Sequence, residues 1–344
     1  MRIAYFTGPR KIEILDGPEP RIERPDEVKV RIDRVGVCGS DVHYYTHGGI
    51  GDQRLEYPAT IGHECSGTIV EAGESALLKP GTRVAIDPAI VCGECDQCRA
   101  GRVNTCRNIR FMGAPGEAAG AIADFSVLPA FNCIPMPSDF SLDLAVLAEP
   151  LTIGLHAERL AQLSSAQRIA ILGVGPIGLS VLLCVKAIGA PSRLVVTDLL
   201  PERLEVAKQC DADVAMLASE LKPPTEPDEE FDVVFECSGD PDIIDVAQSL
   251  MAPGGRIVLV GIPPTVNYSF NAHKMRRTEL TFQAVRRQNH CVESIVELIA
   301  DQRIDPSPML THHFPLEEIT DAFEMVADYK DGVIKAIISL STAE

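Results

Sequence analysis

The sequence predicts an α/β chain of two domains: a β-rich domain with long loops, and a doubly wound parallel sheet covered by helices on both faces. Three observations predict this. Residues 1–150 read as short strands separated by Gly and Pro clusters. From Arg168 onward, apolar strands alternate with helical stretches, the pattern of a parallel sheet. A glycine turn, Gly173-Val174-Gly175-Pro176-Ile177-Gly178, follows the first of those strands and opens the first helix. The chain has 344 residues, enough for two domains of ordinary size.

In the first domain, Val28 to Val35 largely alternates apolar and polar residues, the period of a half-buried strand. Thr68-Ile69-Val70 and Arg83 to Ile86 are strand-like as well. The character changes near Leu151. Arg168 to Leu172, Leu194 to Thr197, Phe231 to Phe235 and Ile257 to Val260 are expected strands. Helices are expected from the glycine turn to Gly189, over Pro201 to Cys210 and over Asp242 to Met251. Lys222 to Glu230, rich in Pro and acid, reads as an exposed loop. Beyond about Phe282 the alternation ends; Asn289 to Gln302 reads as an amphipathic helix and Val333 to Leu340 as a last strand. No internal repeat or low-complexity tract is seen.

Composition narrows the function classes. The hydrophobic fraction is 46% and the charged fraction 23%, values of a globular protein. The net charge is −18 and the pI near 4.9. An acidic body repels phosphate backbones and anionic lipid, so neither nucleic acid nor a membrane is an expected partner. Met1 to Lys11 lacks the apolar segment of a secretory signal. The longest stretch free of charge and histidine, between Arg168 and Lys186, is too short and too broken by Gly and Pro to span a bilayer. The expected location is the cytoplasm.

Cys92, Cys95, Cys98 and Cys106 are spaced Cys-x2-Cys-x2-Cys-x7-Cys. Thiolates at that spacing can close around one Zn2+ in a tetrahedral all-cysteine site. All four positions are then filled by protein, so this metal does no chemistry. Two disulfides are the alternative, and they are rare in the reducing compartment the rest of the chain suits. Cys65, Cys133, Cys184, Cys210, Cys237 and Cys291 mostly have apolar neighbours and read as buried free thiols.

In the glycine turn, Gly173 permits the tight bend, Gly175 lets a pyrophosphate approach the backbone, and Gly178 lets helix and strand pack closely. The helix N-terminus offers free N–H groups and a positive dipole to phosphates. Asp198 lies twenty residues after Gly178, at the end of the second strand. A carboxylate there accepts from both ribose hydroxyls and repels a 2′-phosphate, so the reading favours NAD over NADP. Arg203 either stacks near the adenine or lies on the helix surface. A second, sparser metal set is offered by Cys38, His63, Glu64 and Glu149. Cys, His and carboxylate suit a catalytic Zn2+ with one position open.

The order of Cys38-Gly39-Ser40-Asp41, Gly62-His63-Glu64, the four cysteines at 92–106, Glu149-Pro150 and GxGPxG resembles the zinc-containing medium-chain alcohol dehydrogenases over nearly the whole chain. Within them, Cys38 to Tyr44 followed by His47 to Gly51 resembles the sorbitol (polyol) dehydrogenase branch. Ala148 to Leu151, Val196 to Leu199, Glu236 to Gly239 and Thr311 to Pro315 match it too. The resemblance implies a GroES-like catalytic domain over 1–151 and 285–344, with a Rossmann NAD-binding domain over 152–284.

By the same resemblance, Cys38, His63 and Glu64 hold the catalytic zinc with a water, and Glu149 lies beside that water or replaces it. Tyr44, Glu149, Arg286, Arg287 and Phe111 are substrate contacts. Gly173, Gly175, Pro176, Ile177, Gly178, Asp198, Arg203, Val260, Gly261, Ile262, Ala284, Val285 and Arg286 line the NAD site. A proton leaves through Ser40 towards His43, or through Glu149 and a water. The four-cysteine zinc is structural, and a homotetramer or dimer is expected.

Two departures concern the expected pocket mouth. Arg287 stands where animal members of the branch commonly have Tyr, and Tyr45 where they often have Trp. Arg287 either points to solvent or favours a substrate bearing carboxylate or phosphate. The implied reaction is reversible oxidation of a polyol to a ketose with NAD. The competing readings are a zinc dehydrogenase of threonine, a simple secondary alcohol or an aldose, and a non-catalytic dinucleotide-binding protein.

Overall fold

The computed structural model describes residues 1–137, 139–164, 167–189, 191–265 and 267–341. The chain divides into two compact units. One comprises Met1–Glu149, Val292–Ala300 and the segment from Leu310 on; the other comprises Pro150–Cys291 and Asp301–Met309. The expected boundaries stand at 151/152 and 284/285, so 150–151, 285–291 and 301–309 lie with the second unit instead.

The first unit is built on a seven-stranded sheet. Its order is Cys133–Pro135, Arg83–Ile86, Glu64–Ala72, Glu27–Gly36, Lys335–Ser339 and Leu310–Pro315, with Phe125–Pro129 also paired to Glu27–Gly36. All pairs are antiparallel except the last two strands in that order, which run parallel. The strand Glu27–Gly36 is central, and its sequence alternation proves misleading. Two of the polar residues between its apolar ones do not face water: Lys29 is buried and Asp33 fully so, while the Arg31 side chain is 36% exposed. Asp33 is satisfied by Arg31 Nε at 2.9 Å, Thr68 Oγ1 at 2.8 Å and Ser341 Oγ at 2.5 Å, which is how a charge can lie on an inner face. The apolar face joins Phe6, Ile32, Ile61, Ile69, Ile122 and Phe323 in one core.

The second unit is a six-stranded parallel sheet. Its order is Val214–Leu217, Arg193–Asp198, Arg168–Leu172, Phe231–Glu236, Met251–Leu259 and Thr281–Ala284. In chain order this is 3-2-1-4-5-6, the doubly wound arrangement whose ligand crevice lies at the C-terminal strand ends beside strand 1. Ile169 to Leu172 are at most 1% exposed, as a strand covered on both faces requires. The first crossover helix, Pro176–Ile188, has Pro at its first position, where no intrahelical N–H bond is lost.

The other expected helices are Pro201–Gln209, Ile243–Leu250 and Val292–Ala300, the last several residues shorter than 289–302. The strands at 214–217, 281–284 and 310–315 are short and lie outside the segments that the sequence pattern marks as strands. The acidic loop holds one 3-10 turn, Pro227–Glu229. Among the described residues, no helix is long and apolar enough to cross a membrane.

Candidate metal centres and dinucleotide site

All eleven cysteines are free thiols. Four of them gather in one loop. Sulfur–sulfur distances are 3.5 Å for Cys92–Cys106, 3.6 Å for Cys95–Cys98, 3.9 Å for Cys95–Cys106 and 4.0 Å for Cys92–Cys98. Four sulfurs each about 2.3 Å from a common Zn2+ would be about 3.8 Å apart, so the loop fits that ion without rearrangement. Backbone N–H groups prepare the thiolates. Those of Arg107 and Cys98 pull Cys95 down to about 6, and those of Glu94 and Cys95 lower Cys92. Burial pushes Cys98 up to about 12.

Of the remaining six cysteines, Cys65, Cys133, Cys184, Cys210 and Cys291 are buried; Cys237 is partly exposed.

The second cluster brings together Cys38, His63 and Glu64, whose ligand atoms lie within 4.8 Å of one another. Sheet register explains the meeting. Gly36 pairs with Glu64 across the central strands, and Cys38 follows two residues later as the N-cap of helix Gly39–His47. Gly36 must be glycine, since a Cβ there would lie 2.5 Å from Glu64 Oε2 and 2.8 Å from Val146 Cγ1. Ser40 Oγ donates to Cys38 Sγ at 3.3 Å.

Asp41 Oδ1 lies 3.3 Å from His63 Nδ1, so the other ring nitrogen is left for a metal. Burial opposes a charged His63, but the charges of Asp41 and Cys38 outweigh it and raise its basicity well above the usual range. The ring of Phe111 packs 5.1 Å from that of His63.

One member of this cluster carries no signal in the sequence. Lys335 Nζ donates to Glu64 Oε1 at 2.8 Å and Oε2 at 2.5 Å, and to the carbonyl of Val37 at 3.3 Å. Both side chains are 1% exposed. Burial works against the Lys335 charge, and the carboxylate of Glu64 more than restores it. Nothing in the sequence around Lys335 marks it. The strand pairing Ile337↔Gly36 brings it opposite the metal ligands.

Glu149 is buried but stands outside the three-residue ligand group. Burial raises its carboxyl to about 7, with His63 lowering and Glu64 raising it further.

Tyr44 is buried, its hydroxyl donating to Gln53 Oε1 at 3.3 Å. Tyr45 does not face a pocket mouth. It is fully buried between Phe6 and Phe323, and its hydroxyl donates to Glu324 at 2.7 Å. Its neighbour in a helix turns about 100° away, so Tyr44 and Tyr45 serve different sides. His43 is exposed, its ring 6.1 Å from that of His47.

In the second unit, Gly173 has φ +90°, and a Cβ there would come 2.9 Å from Ser238 N. A Cβ on Gly178 would come 1.9 Å from the Gly173 carbonyl, the close packing expected of the third glycine. Ile177 is half-buried in the first turn of the helix. Asp198 Oδ2 accepts from Val174 N at 2.8 Å, which holds the carboxylate against the glycine turn. Arg203 lies 3.6 Å from Asp198 and against Gly175.

Val260 and Gly261 donate to the carbonyl of Glu236, and Ile262 is 56% exposed beside them. Ala284 ends the last strand, Val285 N bonds Leu259 O at 2.9 Å, Arg286 is exposed and Arg287 is half-buried. Arg287 thus does not simply point into solvent.

Comparison with known proteins gives the same architecture. Residues 24–138 match the alcohol dehydrogenase GroES-like domain family, and residues 176–301 the zinc-binding dehydrogenase family. Sorbitol dehydrogenase of Bacillus subtilis is 33% identical over 98% of this chain and 97% of its own length. L-idonate 5-dehydrogenase of Vitis vinifera is 34% identical over 94% of this chain and 91% of its own. A crystal structure of an alcohol dehydrogenase from Escherichia coli CFT073 complexed with NADH superposes with TM-score 0.89 at 27% identity, covering 99% of each chain. With its metal-fitting clusters, its glycine turn and this similarity along almost its full length, the chain belongs to the zinc-containing medium-chain alcohol dehydrogenase family, in its sorbitol dehydrogenase branch.

Proposed function

We propose that this chain is a zinc-dependent polyol dehydrogenase that oxidises a secondary hydroxyl of sorbitol, xylitol, galactitol or arabinitol type to a ketone with NAD, reversibly. The observation that carries the reading is the convergence of half-buried Cys38 with buried His63 and Glu64, three ligands that leave a tetrahedral Zn2+ one coordination place. Bound there, Zn2+ supplies a Lewis acid for the substrate oxygen, and the nicotinamide supplies the hydride acceptor.

The chain's own residues do the rest. Cys38, His63 and Glu64 hold the ion, and Asp41 keeps the His63 ring in register. Lys335 balances the charge of Glu64, so the ligand set carries less net negative charge than its residues suggest. Glu149, its carboxyl raised towards neutrality, is suited to hold and release the proton at working pH. Ser40 touches the metal cysteine rather than a free path, and His43 is the exposed end of the alternative route. Tyr44, Phe111 and Arg286 are proposed for the substrate.

Asp198 supports NAD, since a 2′-phosphate would meet its charge. The four-cysteine loop is proposed to hold a second, structural Zn2+. Its closed geometry supports that role. A homotetramer or dimer in the cytoplasm is the proposed setting; the free thiols fit a reducing compartment.

A second reading is an acidic sugar as substrate, favoured by the adjacent Arg286 and Arg287. Steady-state rates with sorbitol, xylitol, galactitol, L-arabinitol, L-idonate, threonine and 2-propanol test the proposal. A polyol should exceed 2-propanol in kcat/KM by at least about tenfold, because a site built to bond several hydroxyls loses them all with a bare alcohol. Turnover of no polyol with NAD sinks it.

A further inference from the structure

Glu236 ends the strand Phe231–Glu236, the neighbour of Arg168–Leu172 on the side away from Asp198. Its side chain has no solvent exposure. Oε1 accepts three hydrogen bonds, from Ser238 N at 2.7 Å, Ser238 Oγ at 2.8 Å and Gly239 N at 2.7 Å. Its backbone carbonyl accepts two more, from Val260 N at 2.8 Å and Gly261 N at 3.0 Å. One residue therefore ties the turn after its own strand to the turn after the next.

Those turns touch through backbone. A Cβ on Gly261 would lie 2.3 Å from Gly239 N and 2.7 Å from Glu236 Oε2. The first turn also meets the glycine turn, at Ser238 against Gly173.

Two polar atoms in this region are enclosed without a hydrogen-bond partner, Glu236 Oε2 and Tyr268 Oη. Burial, and then the charge of Glu236, raise the Tyr268 phenol. A wholly buried carboxyl with one oxygen unsatisfied is unfavourable for packing alone, and an apolar residue would fill the space without that penalty. Its position at the C-terminal crevice of a doubly wound sheet directs attention to the ligand. The strand order supplies the half: Asp198 lies on the adenosine side of the first strand, and Glu236 on the opposite side.

We propose that Glu236 is a positioning residue for the nicotinamide half of the dinucleotide, its carboxyl setting the spacing of the 237–239 and 260–262 turns across which that half lies. The inference rests on the dinucleotide reading of this unit.

The test uses purified full-length protein, with NADH binding followed by nucleotide fluorescence and AMP binding by calorimetry. AMP samples the adenosine half alone. Glu236→Gln keeps shape and one acceptor but changes the charge balance around Oε2. It should weaken NADH by about tenfold or more while AMP stays within about twofold of wild type. Ser238→Ala removes one of the three donors and should give the same selective loss, smaller in size. Unchanged NADH affinity in Glu236→Gln, or equal weakening of NADH and AMP, overturns the inference. If Glu236→Gln does not fold, Ser238→Ala decides alone by the same criterion. Wild-type protein that binds neither nucleotide would overturn the dinucleotide reading itself, and this inference with it.

Discussion

The two metal clusters of the first unit are made from overlapping chemistry and solved in opposite ways. In the loop at 92–106 the ligands are all thiols, close in sequence and mostly at intermediate exposure, and backbone N–H groups prepare two of them, Cys92 and Cys95. In the cluster of Cys38, His63 and Glu64 the ligands come from distant segments and are prepared by charged side chains, Asp41 on the imidazole and Lys335 on the carboxylate. A closed set of four thiolates leaves a metal nothing to do but hold a loop. A set of three, largely buried and charge-balanced, would leave it a coordination place for substrate. Local spacing builds the first site; only the sheet register builds the second. The difference teaches that the cluster proposed to react depends on the whole fold, whereas the one proposed to be structural depends on a loop.

Removing ligands separates the two. Cys38→Ser should reduce kcat by more than about a thousandfold, roughly 4 kcal/mol of lost transition-state stabilisation, in stopped or steady-state assays. NADH titration of the same variant should give wild-type affinity, because the dinucleotide residues lie in the other unit. Residual turnover above that level breaks the assignment of the sparse cluster to chemistry.

Lys335→Met sharpens the comparison from the side of charge balance. In metal-free protein it leaves Glu64 buried at 1% exposure without its cation, so the comparison is made with chelated protein. The expected loss of stability is about 3–5 kcal/mol, read as a lower denaturant midpoint, with substantial recovery in Lys335→Arg. Equal stability of Lys335→Met and wild type would mean that Glu64 finds another partner.

Asp198→Ala acts on neither metal. It should lower kcat/KM for NAD by about tenfold and for NADP by much less, since the repulsion of a 2′-phosphate goes with the carboxylate. The expectation includes some loss of order in the glycine turn, because Asp198 also holds Val174 N. An unchanged cofactor preference refutes the ribose role.

Cys98→Ser should have the smallest effect on chemistry. It opens the thiolate loop, so thermal stability or assembly should fall, while kcat per folded chain stays within about threefold of wild type.

Much of this was legible before the structure. The glycine turn and apolar strands reported the parallel sheet, because a strand covered on both faces must be continuously apolar. The four cysteines reported themselves because their spacing is local. Lys335 did not, for it is one lysine in the apolar run of Val333 to Leu340, and only pairing with Glu27–Gly36 carries it to Glu64.

The alternation of Val28 to Val35 points to a solvated face, yet Asp33 on that face is buried and bonded by Arg31, Thr68 and Ser341. Tyr45 was expected at a pocket and lies in the core, because helical phase cannot be set from a family likeness alone. The short edge strand Thr281–Ala284 escaped because four residues carry too little periodicity.

Two zinc sites are proposed to divide the labour, one holding and one reacting. Metal content and turnover measured together on wild type, Cys38→Ser and Cys98→Ser test it most directly. The account predicts two zinc ions per wild-type chain and one in each variant, with activity lost in Cys38→Ser and kept in Cys98→Ser. Loss of activity in Cys98→Ser protein that remains folded, or retention in Cys38→Ser, would contradict it.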